Sequence, residues 1–253
     1  QIITFVIGII LARLLSPEEY GLVGIAFVFL AFSSIFSNLG LNSSLIQREK
    51  VNESHYSSTF FLNIIVSFFL AVILFLSSNL IANFFREPEL VSITKVLGLG
   101  IIINSFSIVQ ESILRRNMRF DILSKGKVLS AIIAGIIGVS LALLKFGVWS
   151  LVVQYLINIF SKTFFYWIYS DWKPKLLFKI NSLKELWSYG FSMFLSSFIY
   201  SGFNQVSSIV IARLFSSQDL GLFSRSKSLN EFVYRYSSES ISAVTFSKMS
   251  KNE

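Results

Sequence analysis

The chain has 253 residues, 53% of them hydrophobic and 14% charged, with a net charge of +8. Soluble domains carry about 25% charged residues; here the apolar residues come in long blocks without amphipathic periodicity, which points to an all-α, polytopic membrane protein. No Cys and a single His, His55, exclude disulfide scaffolds, iron–sulfur clusters, thiol nucleophiles and Cys/His zinc sites, and no G-x-x-x-x-G-K-[ST] loop is present to hydrolyse nucleotides.

In chain order, the first apolar run is Ile2–Leu15, short of the roughly 20 residues a span needs. It lacks the charged leader and small-residue cleavage site of a signal peptide, so the sequence reads as a piece of a longer chain, open at both ends. Apolar blocks follow at Leu22–Ile46, Phe60–Phe85, Leu90–Leu114, Val128–Leu144 (extended back to Ile122), Val148–Tyr169 and Trp187–Phe215, then a more polar segment, Leu220–Phe246. Asp171–Glu185 interleaves Lys with Leu176, Leu177, Phe178 and Ile180. It reads either as an amphipathic segment on the membrane surface or as a solvated loop. The expected organisation is a first half at 1–170, a linker at 171–186 and the start of a second half at 187–253.

The loops then alternate between two sides. One side holds thirteen cations: Arg48, Lys50, Arg115, Arg116, Arg119, Lys125, Lys127, Lys173, Lys175, Lys179, Lys184, Lys248 and Lys251. The other holds four: Arg13, Arg86, Lys145 and Arg213. By the positive-inside rule the first side is cytoplasmic, and so is the N-terminus. The excess charge is therefore a topology signal, and no nucleic-acid partner is expected.

An internal repeat sets the architecture. A-R-L-L-S-P-E-E-Y-G-L (Ala12–Leu22) aligns without a gap on A-R-L-F-S-S-Q-D-L-G-L (Ala212–Leu222), at a constant offset of 200 and with six identities in eleven positions. Ser16 and Ser216 are N-cap candidates, each with an acid three residues on (Glu19, Asp219), as in a capping box, and Pro17 suits the first helical position. Arg13 and Arg213 lie where a cation favours a helix C-terminus. With Gly21 and Gly221 these residues form an outer turn in each half, structural foremost and a gate contact second. Six spans separate the copies, so the halves run parallel: two pseudo-symmetric six-span halves, the first nearly complete and the second truncated, arranged as in several secondary transporters.

These residues resemble a known family. I-I-L-A-R-L-L-S-P-E-E-Y-G-L (Ile9–Leu22), L-R-R-N-M-R-F (Leu114–Phe120), L-G-L-F-S-R-S-K-S-L (Leu220–Leu229) and S-A-V-T-F-S-K-M-S (Ser242–Ser250) are similar to stretches of bacterial polysaccharide transporters. These are the lipid-linked oligosaccharide flippases of the multidrug/oligosaccharidyl-lipid/polysaccharide exporter superfamily. The resemblance implies a protein of the bacterial plasma (inner) membrane that moves a polyprenyl-diphosphate-linked oligosaccharide to the outer leaflet for surface polysaccharide synthesis. It implies membrane lipids, a coupling proton or sodium ion, and polysaccharide polymerase with other assembly proteins as partners.

Charges inside spans each need a partner or an aqueous cavity, because insertion costs at least about 2.5 kcal/mol. Lys227, Glu231, Arg235 and Glu239 follow at i, i+4 steps, with Arg225 beside them. One reading is an internally paired ladder; the other is a helix lining a cavity between the halves. On the second reading Arg225, Lys227 and Arg235 attract the diphosphate, while Glu231 and Glu239 balance charge or carry a coupling proton. Lys162, flanked by Phe160, Phe164, Phe165 and Trp167, is the other candidate and needs a partner across the cavity. Lys95 and Glu111 read as interfacial, and Asn38, Asn63 and Asn104 as bonds between helices. A cation-coupled multidrug exporter is disfavoured by these cations. A glycosyltransferase or polymerase is disfavoured because no Asp cluster sits on a sizeable loop. No catalytic residue, metal or cofactor is expected.

Overall fold

A computed structural model describes residues 2–227 and 230. It is helical from the start: α1 (Ile2–Leu14), α2 (Pro17–Asn38), α3 (Leu41–Gln47), α4 (Glu53–Phe85), α5 (Leu90–Arg116), α6 (Phe120–Leu143), α7 (Trp149–Tyr169) and α8 (Ile180–Leu214), with helix again over 217–227. Among the described residues, α2, α4, α5, α6 and α7 are long and apolar enough to cross a membrane. The protein is a multi-pass membrane protein. α8 has 35 residues, but Ser192, Ser196, Ser197, Ser201, Asn204, Ser207 and Ser208 dilute its apolar character.

The helices run past the apolar blocks at one end. α4 begins at Glu53 and α8 at Ile180, each with polar turns ahead of its apolar stretch. The Leu22–Ile46 block is not one helix. Leu39 (φ 49°) and Gly40 (φ 70°) are both left-handed and divide it into α2 and α3. A left-handed residue ends a helix because no further i→i−4 bond can follow it, and glycine accepts that conformation without a Cβ clash. The break is held by packing: a Cβ on Gly40 would lie 1.9 Å from the Gly190 carbonyl oxygen of α8.

Alternation sorts the turns into two ends. The repeat end gathers the turns before α2, α5, α7 and residue 217. The basic end gathers those before α4, α6 and α8. α4 packs on α5, α6 on α7, and α5 on α7, while α1 lies on α6. α2 is shared, touching α4 and α5 of its own half and α8 of the other. The larger core cluster sits toward the repeat end, around Leu11, Leu22, Ile25, Leu90, Ile93, Leu97 and Val152, and it takes in Ala212 and Leu220 from beyond the linker. A smaller cluster of Leu41, Leu45, Phe60, Val109 and Leu186 lies toward the basic end. Between the two, Phe32 and Phe36 of α2 meet Phe194 and Phe198 of α8 ring against ring, at 5.3–6.0 Å between centroids.

The segment over 170–179, inside the linker expected at 171–186, forms no helix and leaves Leu176 and Phe178 exposed. It is an extended strap. The Lys175 and Lys179 N–H groups donate to the Ser57 and Ser58 hydroxyls at 3.2 and 2.8 Å, and Trp172 Nε1 donates to Glu53 at 2.8 Å. The first two turns of α4 supply all of these partners.

Candidate functional site

Both turns of the repeat are capped as their sequence spacing predicts. The Ser16 hydroxyl accepts the Glu19 N–H at 3.2 Å, and the Glu19 carboxylate accepts the Ser16 N–H at 2.6 Å. In the second copy Ser216 Oγ accepts the Asp219 N–H at 3.1 Å. Asp219 Oδ2 accepts the Ser216 hydroxyl at 2.6 Å and its N–H at 3.1 Å. These two donors hold the exposed Asp219 carboxyl below its ordinary pKa, the hydroxyl being the larger cause. Around the first turn lies a cleft of about 620 Å³, lined in part by Glu18, Glu19, Glu89, Lys145 and Trp149.

The two turns also meet each other. A Cβ on Gly21 would stand 1.8 Å from the Ser217 carbonyl oxygen, and one on Gly221 would stand 1.7 Å from that of Pro17. Positions 17 and 217, and 21 and 221, are equivalents in the repeat, so the contact is reciprocal. Such a contact is the signature of a two-fold relation between the partners. One turn on, a Cβ at Gly24 would lie 3.3 Å from Ser224 Oγ, its own equivalent, and 3.6 Å from Leu220. Arg225 reaches across: Nη2 donates to the Leu15 carbonyl at the end of α1 (2.8 Å), and the guanidinium stacks on the Tyr20 ring at 4.4 Å. Arg213 likewise lies over Phe84 of the first half, 5.0 Å from the ring centroid. Arg13 is exposed at the end of α1.

The remaining cations divide among different places. Lys162 Nζ donates to Asn104 Oδ1 of α5 at 3.4 Å, so its partner across the helix packing is an amide. Glu111, two turns along the same face of α5, is paired with Arg115 at 2.6 Å. Lys227 donates to the Asn204 carbonyl at 3.2 Å beside a cleft of about 350 Å³ lined by Phe203, Asn204, Ser207, Phe223, Ser226, Lys227 and Asn230. Lys95 sits over the Phe75 ring at 4.7 Å. Glu231, Arg235 and Glu239 lie outside the described residues. Of the three mid-span asparagines, Asn104 bonds between helices, Asn38 instead accepts the Asn42 N–H nearby (3.2 Å), and the fully buried Asn63 amide has no hydrogen-bond partner among the described residues. Among those residues no acidic or His cluster could hold a metal ion.

Sequence reasoning missed the polar junction at the basic end. Glu185, at the start of α8, is ion-paired with Arg48 and lies 3.2 Å from His55 Nε2. His55 Nδ1 accepts the Asn52 N–H at 3.1 Å, which leaves the proton of a neutral ring on Nε2, facing the carboxylate. Ser44 Oγ donates to the Leu186 carbonyl at 2.9 Å, and the hydroxyls of Ser182 and Ser54 are 3.0 Å apart. Beside this junction, Arg116 gathers the carbonyls of Leu45 (3.0 Å), Ile46 (3.3 Å), Arg48 and Glu49 (2.6 Å), capping α3 and pinning its loop. Arg119 reaches the Tyr169 carbonyl at 3.3 Å and Asp171 at 3.6 Å. The L-R-R-N-M-R-F elbow was the available signal, since three arginines in five residues at a helix end need acceptors.

Comparison with known proteins agrees with this architecture. The profile described as polysaccharide biosynthesis protein matches residues 10–253. A succinoglycan biosynthesis transport protein of Rhizobium meliloti is 30% identical over 87% of this chain and 44% of its own length. A teichuronic acid biosynthesis protein of Bacillus subtilis is 26% identical over 76% of the chain and 40% of its own length. A lipopolysaccharide biosynthesis protein of Escherichia coli is 24% identical over 81% and 42%. The chain thus spans less than half the length of these relatives. Among solved structures, a multidrug resistance transporter of the MATE family, in an inward-facing conformation, superposes with a TM-score of 0.62 at 18% identity, covering 92% of this chain and 58% of that one. At that identity the likeness establishes the fold.

Proposed function

Because the chain belongs to the polysaccharide biosynthesis protein family, we propose that the protein is a flippase. On this reading it carries a lipid-linked oligosaccharide, on a polyprenyl diphosphate, from the cytoplasmic to the outer leaflet of the bacterial plasma membrane for surface polysaccharide synthesis. The basic end faces the cytoplasm, together with the N-terminus. The observation that carries the reading is the family match over residues 10–253. Beside it stand the names of the relatives, which give succinoglycan biosynthesis transport, teichuronic acid biosynthesis and lipopolysaccharide biosynthesis.

The two halves rock about a central path, opening it first to one side and then to the other. The glycan crosses in a hydrated cavity while the lipid tail stays in the bilayer, so no bond is made or broken and no catalytic residue is needed. Lys162, Lys227, Arg225 and Arg235 are the cations assigned to the diphosphate. Glu231 and Glu239 balance them or carry a coupling proton; sodium is the other candidate for the coupling ion. Membrane lipids, and polysaccharide polymerase with other assembly proteins, are the proposed partners.

The test is made in cells. The gene is disrupted, and an impermeant sugar-modifying probe then reports which leaflet holds the lipid-linked oligosaccharide. Accumulation on the cytoplasmic side is expected. An unchanged distribution with altered drug sensitivity would replace the reading by a multidrug exporter, and shortened or missing oligosaccharide by an enzyme. In the same assay Arg235→Ala should stop transport while the protein still folds; wild-type flux would end its assigned role.

A further inference from the structure

We infer that the reciprocal contact of Pro17, Gly21 and Gly24 with Ser217, Gly221 and Ser224, clasped by Arg225, is the seam that closes the repeat end between the two halves and parts when that end opens. The inference rests on the proposed alternating-access reading and adds the residues that would form the closure.

Four observations carry it. The contact joins the two halves, since 17–24 belong to the first and 217–224 follow the linker. It is made by equivalent residues: Gly21 lies against Ser217 and Gly221 against Pro17, at 1.8 and 1.7 Å from an added Cβ to the facing carbonyl oxygen. It is made without side chains where the helices come closest, so the two backbones separate without unthreading interlocked groups, and any side chain added there would hold them apart. A hydrogen bond from Arg225 also crosses the seam, to the Leu15 carbonyl, with Tyr20 of the first half under its guanidinium. The equivalent of Arg225 in the first half is Ile25, a buried core residue. The clasp is therefore one-sided.

A fixed pivot would show the same close approach, and the two differ in whether the contact must part. The 253 residues contain no Cys, which makes cross-linking direct. Gly24→Cys and Ser224→Cys are introduced together into an otherwise Cys-free form of the whole protein. The 3.3 Å from a Cβ at 24 to the side-chain oxygen at 224 is within reach of a disulfide. Oxidation in the membrane should cross-link the pair and stop transport in the leaflet assay, and a reductant should restore it. Failure to cross-link would remove the contact. A cross-linked protein that still transports would make the seam a pivot, and either result overturns the inference.

Gly21→Leu in a Ser224→Cys background gives a second measurement that needs no substrate. The wedge should expose the thiol to a membrane-impermeant maleimide added from outside, where the unwedged protein is protected. Equal labelling of both would overturn the inference. If cross-linking and labelling behave as expected but the leaflet assay finds no oligosaccharide moved in any form of the protein, the flippase reading fails while the seam stands as the closure of some other two-half transporter.

Discussion

At the repeat end the halves meet through Gly21 and Gly221, backbone against backbone, and each side presents equivalent positions to the other. At the basic end they meet through Arg48, His55, Ser44 and Ser54 on one side and Glu185, Leu186 and Ser182 on the other, a contact between unlike residues held by the Arg48–Glu185 ion pair and by hydrogen bonds. The first junction has no charge at its closest point and answers to volume. The second answers to charge and salt. On the proposed alternating-access reading, the two ends are then held by separable physics, so that a change disabling one leaves the other intact.

The largest expected effect probes the Gly40–Gly190 contact near the basic end, where backbone again meets backbone. Gly40→Ala places a Cβ 1.9 Å from the Gly190 carbonyl at a φ of 70°. Left-handed strain of roughly 1–2 kcal/mol adds to an overpacking cost of about 1–3 kcal/mol. The thermal midpoint of the detergent-solubilised protein should fall by several degrees, and an unchanged midpoint would show that α8 can slide away from α3. Arg116→Ala comes next. It removes a charged donor from four carbonyls, at about 2 kcal/mol or more, since hydrogen bonds to charged groups run about 1.5–3 kcal/mol each. Proteolysis within residues 48–52 should accelerate while Gly24–Ser224 cross-linking is unaffected; a loss of cross-linking would mean that the two ends are not separable.

At the repeat end, Ser16→Ala should cost about 1 kcal/mol, the usual value of an N-cap, read as faster amide exchange at Glu19. The second cap adds a pH dependence. The pKa of Asp219 is depressed in the folded state, so its contribution is fully present above the ordinary carboxylate pKa and is lost as pH falls through the depressed value. Exchange at the Asp219 amide, corrected for intrinsic chemistry, should rise over that acidic window, and Asp219→Asn should abolish the change. Smallest is Glu185→Gln. The Arg48 and Glu185 side chains are 35% and 48% exposed, which puts the pair at under about 1 kcal/mol and makes it salt-sensitive. Its removal should leave cross-linking at the repeat end intact.

Much of this was legible in the sequence, for identifiable reasons. Blocks of apolar residues mark helices because a span must satisfy its backbone internally. A cap joins residues three apart, so Ser16 with Glu19 and Ser216 with Asp219 could be read directly. The repeat showed where two equivalent turns lie. It did not show that they touch, because Gly21 and Ser217 are brought together only by the packing of helices distant in sequence. The junction of Glu185 with Arg48 and His55 was invisible for the same reason. Lys162 was recognisable as a cation in need of a partner, yet the partner proved to be the amide of Asn104, while the nearby carboxylate Glu111 is held by Arg115.

The amino-acid order by itself determined the all-helical membrane class, the duplication at an offset of 200 and the caps that start each copy, since these depend on composition and on neighbours within a turn or two. Tertiary structure decided the break at Leu39 and Gly40, the docking of the 170–179 strap and the meeting of the two glycines. Each of these depends on a backbone group supplied by, or presented to, a helix far away in the chain, and local pattern carries no record of which helix that will be.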